Sequence, residues 1–168
     1  MLLQRCRGDP TSMRTQKKAI GWYRDCMFRC SDHPILGTME SSPKFSFANP
    51  ANASDPETFY QQLRVLLLSL QTKAAAGDHV KYASGSRRVS GSQSVFADMQ
   101  CTPDLIASAC SKCVGDAINY IPTCCYGKTG ASVITPNCAS RFDVYQFYRS
   151  DEDNSTQKGK DRSSLSPS

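Results

Sequence analysis

Apolar side chains fall at helical spacing in one stretch above all. Phe59, Leu63, Leu66, Leu67 and Leu70 recur three or four residues apart. Asp55 precedes Pro56, and proline is favoured at the first helical position because its missing N–H would lack a partner there anyway. Glu57 complements the positive helix start, and Ala74 to Ala76 lead to Gly77 as the stop. The stripe predicts a helix facing a core. A second helix is predicted over 107–120, ended by Pro122. Phe45 and Phe47 alternate with polar neighbours and predict a short strand. Further strands are predicted at Val80–Ala83 and Ser94–Met99, joined by a loop around Gly85 and Gly91, and at Ala131–Thr135 and Arg141–Phe147. Near the start, 20–29 reads as one strand, with Trp22 and Phe28 among its apolar groups, ended by Asp32-His33-Pro34. The order strand, helix, two strands, helix, two strands predicts an α+β fold. Its two helices pack on one face of a five-stranded antiparallel sheet.

A length of 168 residues allows one domain, or one domain and a fragment. The longest apolar run, Val65 to Leu68, is far short of the ~20 residues that span a bilayer. The net charge of +5 is concentrated at the start, where Arg5, Arg7, Arg14, Lys17, Lys18, Arg24 and Arg29 face only Asp9 and Asp25. The body is nearly neutral, which argues against a nucleic-acid-binding face. The basic start reads as a solvated end. From Asp151 onward the chain is Ser, Asp and Lys without apolar periodicity, and a disordered tail or linker is expected over 150–168.

Placement of the nine cysteines says more than their number. Cys101, Cys110, Cys113, Cys124, Cys125 and Cys138 crowd one region, and Cys6, Cys26 and Cys30 lie near the start. Such density reads as a disulfide framework in an oxidising compartment. Met1-Leu2-Leu3 nevertheless runs straight into Gln4 and Arg5 with no apolar core, so the start is not a secretory signal. Cys110-Ser111-Lys112-Cys113 would serve zinc or thiol redox chemistry only with partners that the sequence lacks. No second C-x-x-C exists, His33 and His79 lie far away, and no thioredoxin-like βαβ context precedes it. A disulfide reading also explains the other four cysteines of the cluster. No metal, cofactor or catalytic residue is expected, since the hydrolase elbow and the phosphate loop are both missing. Asp98, Asp104 and Asp116 read as helix-start and surface acids. Tyr120, Tyr126, Tyr145 and Tyr148 read as core-edge residues, with a sugar or peptide site as the alternative. Asn52-Ala53-Ser54 and Asn154-Ser155-Thr156 are glycosylation sequons, so Asn52 and Asn154 are candidate acceptors in an extracellular chain.

The spacing Cys101-x8-Cys110-x2-Cys113 carries a resemblance, with Ile121-Pro122-Thr123-Cys124-Cys125-Tyr126-Gly127-Lys128 and Pro136-Asn137-Cys138 after it. It resembles the plant ginkbilobin-homologous domain, also called the salt-stress-response/antifungal domain. That domain occurs in tandem in cysteine-rich receptor-like kinase ectodomains and in secreted repeat proteins. Asn49-Pro50, Asn52 and Gln100-Cys101-Thr102-Pro103-Asp104-Leu105 look like the second domain of those kinases. The likeness implies one complete domain over 40–149 and a stalk after it. It also implies a remnant of a first domain over 1–39, too small to fold by itself, with Trp22 to Arg29 as that domain's last strand. It implies the bonds Cys101–Cys110 and Cys113–Cys138. Cys125 aligns with a cysteine whose usual partner has no counterpart here; Cys124 and Cys125 bond to each other, or one reaches Cys26 or Cys30. Cys30 replaces the family's usual aromatic residue and is expected as a stray thiol.

The antifungal member binds mannose through an Asn–Arg–Glu trio. Here Ser132 and Asp143 occupy the Arg and Glu positions, and the Asn has no counterpart. A hydroxyl cannot replace a fixed fork of donors, so no binding residue is carried over. The resemblance implies a non-enzymatic extracellular recognition module of receptor-kinase type, on the apoplast side of the plasma membrane. A freestanding secreted defence protein is the alternative. The expected partner is an extracellular protein or carbohydrate.

Overall fold

A computed structural model describes residues 18–22 and 27–148. Helix α1 runs Pro56–Ala76. The Asp55 carboxylate accepts the Thr58 N–H at 3.1 Å, which supplies a partner for one of the donors left open at a helix start. Its apolar stripe is buried, with Leu67 and Ala74 wholly inaccessible. Helix α2 runs Ala107–Cys124, one turn beyond the expected end. Pro122 removes only its own N–H from the bond to Ile118. The next turn is held by the Cys125 N–H on the Ile121 carbonyl at 2.9 Å and by Ile121, which is buried in the core.

The main sheet has five strands: β3 Phe45–Ala48, β4 Tyr82–Ser90, β5 Gln93–Cys101, β6 Ala131–Ile134 and β7 Cys138–Asp143. Their spatial order is β3-β6-β7-β5-β4 and every pairing is antiparallel. The expected α+β architecture, two helices on a five-stranded antiparallel sheet, is therefore the observed one. β4 and β5 are longer than the alternation suggests. Gly85 lies inside β4, not in a loop, and its lack of a side chain makes room for α1. A Cβ there would meet Leu70 Cδ2 at 3.3 Å. The turn is left to Gly91, whose φ of 51° suits glycine. β7 begins earlier than expected and stops at Asp143, whose Oδ1 accepts the Val144 N–H at 2.9 Å. The aromatic alternation through Tyr145 and Phe147 belongs to a segment that leaves the sheet.

The core lies between α1, α2 and one sheet face. Phe59, Leu63, Leu67 and Leu70 meet Val95, Met99, Val114, Ile121, Val133 and Phe142 there. The sulfur atoms of Cys101 and Cys110 are bonded, as are those of Cys113 and Cys138. The first bond ties the end of β5 to α2, and the second ties α2 to the start of β7. Cys124 is bonded to its neighbour Cys125.

The predicted single strand over 20–29 is instead two: β1 Lys18–Trp22 and β2 Met27–Ser31, antiparallel, with Trp22 opposite Met27. No Gly, Pro or Asn lies between Trp22 and Met27, so the sequence carries none of the strong turn signals there. Cys30, expected as a stray thiol, is disulfide-bonded. Cys6, Cys26, Asn154, the basic residues before Lys18, Arg24 and the tail over 150–168 lie outside the described residues, while Arg29, expected on a solvated end, is buried.

Candidate functional site on the helix-free face of the sheet

Strand alternation sends every second side chain away from the helices. Register places these outward residues in rows. Phe45, Ile134, Ala139, Gln100 and Tyr82 form one; Phe47, Ser132, Arg141, Asp98 and Ser84 form the next; Asp143, Phe96 and Ser86 begin a third. No helix covers this face. It floors a cleft of about 580 Å³ lined by Trp22, Met27, Phe47, Asn49 and the residues of the inner rows.

The β1–β2 hairpin walls one end. Trp22 meets Phe45 edge to face at 5.2 Å and donates its indole N–H to the Thr135 carbonyl at 3.3 Å. Arg29 is buried on the neighbouring strand. It contacts Glu40 at 2.7 Å and donates to Asn137 Oδ1 at 3.3 Å. That oxygen also accepts the Glu40 N–H, while the Asn137 amide donates to Thr102 Oγ1 at 3.2 Å. Every polar member of this buried junction thus has a partner, as burial demands. The hairpin's Met27 and Arg29 are covered by the larger domain, which explains how so small an element is ordered.

Asp98 and Arg141 face each other across the β5–β7 ladder at the centre of the floor. Burial pushes the Asp98 carboxyl up to about 6, against a smaller downward pull from Arg141. The Tyr82 and Tyr148 phenols are pushed up as well, first by burial and then by the Asp98 charge. Arg141 forms no ion pair with Asp98 within 4.0 Å. Its guanidinium stacks on the Phe147 ring at 4.0 Å and donates to the Tyr145 hydroxyl at 3.3 Å.

At the other end, Gly130 lets two polar side chains close in. A Cβ there would lie 2.7 Å from both Asn49 Nδ2 and Asp143 Oδ2. Gly130→Ala is expected to push both side chains aside at a cost of about 1 kcal/mol. Urea denaturation reads the cost, and amide shift changes confined to Asn49, Ser132 and Asp143 read the reshaping.

Sequence-singled residues are scattered relative to this cleft. Asp98 is a floor residue of β5, not a helix-start acid. Asp104 accepts the Gly37 N–H at 2.7 Å, and Asp116 pairs with Lys112 at 3.0 Å. The four tyrosines do not form one site. Tyr126 donates to Glu57, Tyr120 lies under the Lys44 ammonium, and only Tyr145 and Tyr148 reach the sheet face. Ser132 and Asp143 line the cleft, while Asn52 is exposed beside Lys128, whose ammonium it accepts at 2.9 Å. Nothing in the sequence marks Trp22, Arg29, Asn137 or Arg141 as site residues. Among the described residues no helix is long and apolar enough to cross a membrane, and no three His, Cys, Asp or Glu side chains converge as metal ligands.

The chain is similar to known proteins in sequence and in fold. A sequence model of the family described as salt stress response/antifungal matches residues 46–145. Cysteine-rich receptor-like protein kinase 25 of Arabidopsis thaliana is 34% identical over 148 residues, covering 87% of this chain and 21% of the kinase. Cysteine-rich repeat secretory protein 38 of the same plant is 34% identical over 134 residues, covering 79% of this chain and 53% of the relative. The chain thus spans about half the length of the secretory relative and about a fifth of the kinase. The crystal structure of the tandem DUF26 ectodomain of the Arabidopsis thaliana cysteine-rich receptor-like protein PDLP8 aligns with a TM-score of 0.54 at 25% identity, over 61% of this chain and 48% of that one. With the family model matched over residues 46–145, more than half of its length, the chain belongs to the salt stress response/antifungal family, the DUF26 or ginkbilobin-homologous domains.

Proposed function

We propose that this chain is an extracellular recognition module of the receptor-kinase ectodomain type, and that it reads its ligand at the cleft on the helix-free face. One observation carries the reading: an open sheet face brings Asp98, Arg141 and Ser132 from three different strands beside Trp22 and Phe47. Concave sites that mix aromatic surface with a few placed polar groups suit recognition of small or extended ligands. Residues 40–149 are the recognition domain, 1–39 derive from a preceding domain of the same kind, and 150–168 form a stalk. Asn52, exposed at the rim of the α1 start, is a glycosylation acceptor, as is Asn154. Kinase chemistry belongs to other parts of such receptors. The location is the apoplast side of the plasma membrane.

A second reading is a secreted defence protein that binds a glycan. The secretory relative supports it, as does an antimicrobial ginkbilobin-2-like protein of Castanea crenata, 33% identical over 132 residues. The test is titration of the disulfide-bonded protein with plant and fungal oligosaccharides and with extracellular peptides, followed by amide resonances. Ligand-induced shifts on the outward rows of β5, β6 and β7 are expected. Shifts confined to the helical side would overturn the assignment of the site, and tight mannan binding would favour the defence reading.

A further inference from the structure

Beyond Asp143 the chain does not leave the molecule directly. Residues 144–148 fold back over the outer sheet face as a short aromatic strap. Phe147 takes the Arg141 guanidinium on its ring, Tyr145 accepts a hydrogen bond from the same group, and Tyr148 packs on Phe96 at 6.4 Å. Arg141 also stands directly opposite Asp98 on the neighbouring strand. It therefore has two partners within its reach and engages the strap.

We infer that Arg141 is a two-position switch, shared between the strap and the Asp98 carboxylate, so that the proton on Asp98 sets how firmly residues 144–148 hold to the sheet.

Each position has its own chemistry. With Asp98 protonated, the group opposite Arg141 carries no charge to draw the guanidinium away, and Arg141 stays on Phe147 and Tyr145, while the other floor carboxyl, Asp143, is turned to the Val144 N–H and to Gly130. When Asp98 gives its proton to solvent, a carboxylate appears across the ladder from Arg141, and the arginine is drawn off the strap. The groups facing Asp98 are few. From β4 comes Tyr82, whose hydroxyl lies 3.5 Å from Asp98 Oδ2. From β7 come Arg141 and Asp143, and from the strap Tyr145 and Tyr148; from the hairpin, Trp22 and Met27 line the cleft and carry no charge. The Tyr82 and Tyr148 phenols are held above their ordinary range by burial and by the Asp98 charge, so they stay protonated throughout. A guanidinium does not lose its proton in this range. Asp98, with its carboxyl raised to about 6, is the group that changes in mildly acidic solution.

A partly exposed carboxylate–guanidinium pair is worth little, so the occupancy of the strap position is expected to fall about two- to five-fold as pH rises. The experiment follows the Phe147 and Tyr148 ring resonances of the intact chain between about pH 4.5 and about pH 7.5, a range that brackets the Asp98 transition. A single step is expected in the wild type. Asp98→Asn, neutral and of the same shape, is expected to hold the low-pH ring shifts at every pH. Arg141→Gln is expected to give a flat Phe147 profile at the released value. Circular dichroism establishes that both variants are folded. Flat wild-type resonances, or a step that survives in Asp98→Asn, would overturn the switch.

Discussion

Replacing Cys113 and Cys138 together by alanine is expected to cost about 3.5 kcal/mol of stability, and replacing Cys101 and Cys110 together about 2.6 kcal/mol. The difference follows from loop length. The first bond closes a separation of 25 residues and the second a separation of 9, and a cross-link removes more freedom from the unfolded chain when it closes a longer loop. The Cys124–Cys125 bond joins adjacent residues, closes almost no loop, and is expected to contribute least. Alanine is the right replacement because Cys113 and Cys138 are buried, where an introduced hydroxyl would compete for Thr135 Oγ1, already bonded to the Cys138 carbonyl at 3.0 Å. Urea denaturation of the three double variants gives the ranking directly. An equal loss for the 113–138 and 101–110 pairs would sink the loop-closure account. The consequence reaches the cleft, because the longer bond anchors α2 to the first residue of β7, the strand that presents Arg141 and Asp143.

How much of this was legible before the structure depends on which pattern carried the information. The α1 stripe needs no tertiary knowledge, since five apolar residues at helical spacing have one face to bury. The family was legible for a different reason: Cys101, Cys110 and Cys113 occupy a spacing that few folds use. Strand ends were harder. Gly85 looks like a loop residue, yet it is chosen because α1 passes over it. Pro122 looks like a helix stop, yet Ile121 and Cys125 hold the following turn. The cleft was the least legible part. Asp98, Ser132 and Arg141 each appear as an ordinary outward polar residue in its own strand, and only the register of β5, β6 and β7 brings them together. Arg29 was hidden further, because a basic residue in a basic stretch reads as solvated while this one is buried against Glu40 and Asn137.

That buried arginine sets the second large expectation. Arg29→Met keeps the length and much of the apolar stem but removes the charge and all the donors. It leaves Asn137 Oδ1 with the Glu40 N–H alone and Glu40 with the more distant Lys18 ammonium at 3.9 Å. Breaking a fully buried pair costs ~3–5 kcal/mol, but the Glu40 side chain is 30% exposed and can regain water, so the expected loss is about 2 kcal/mol. Arg29→Lys, which restores a charge without the planar fork, should recover only part of it. The location of the damage is as telling as its size. Trp22 is the chain's one tryptophan, and it sits on the hairpin against Phe45 and Thr135. If Arg29 is what fastens the hairpin, the methionine variant shifts Trp22 emission to the red in native buffer, while circular dichroism of α1 and α2 is unchanged. Unchanged emission with a loss below about 0.5 kcal/mol, the range of an ordinary surface substitution, would show that the apolar contacts of Trp22 and Met27 suffice to hold it. The cleft then has a floor that survives without the junction and a wall that does not, which makes ligand binding by Arg29→Met the direct measure of how much the hairpin contributes to recognition.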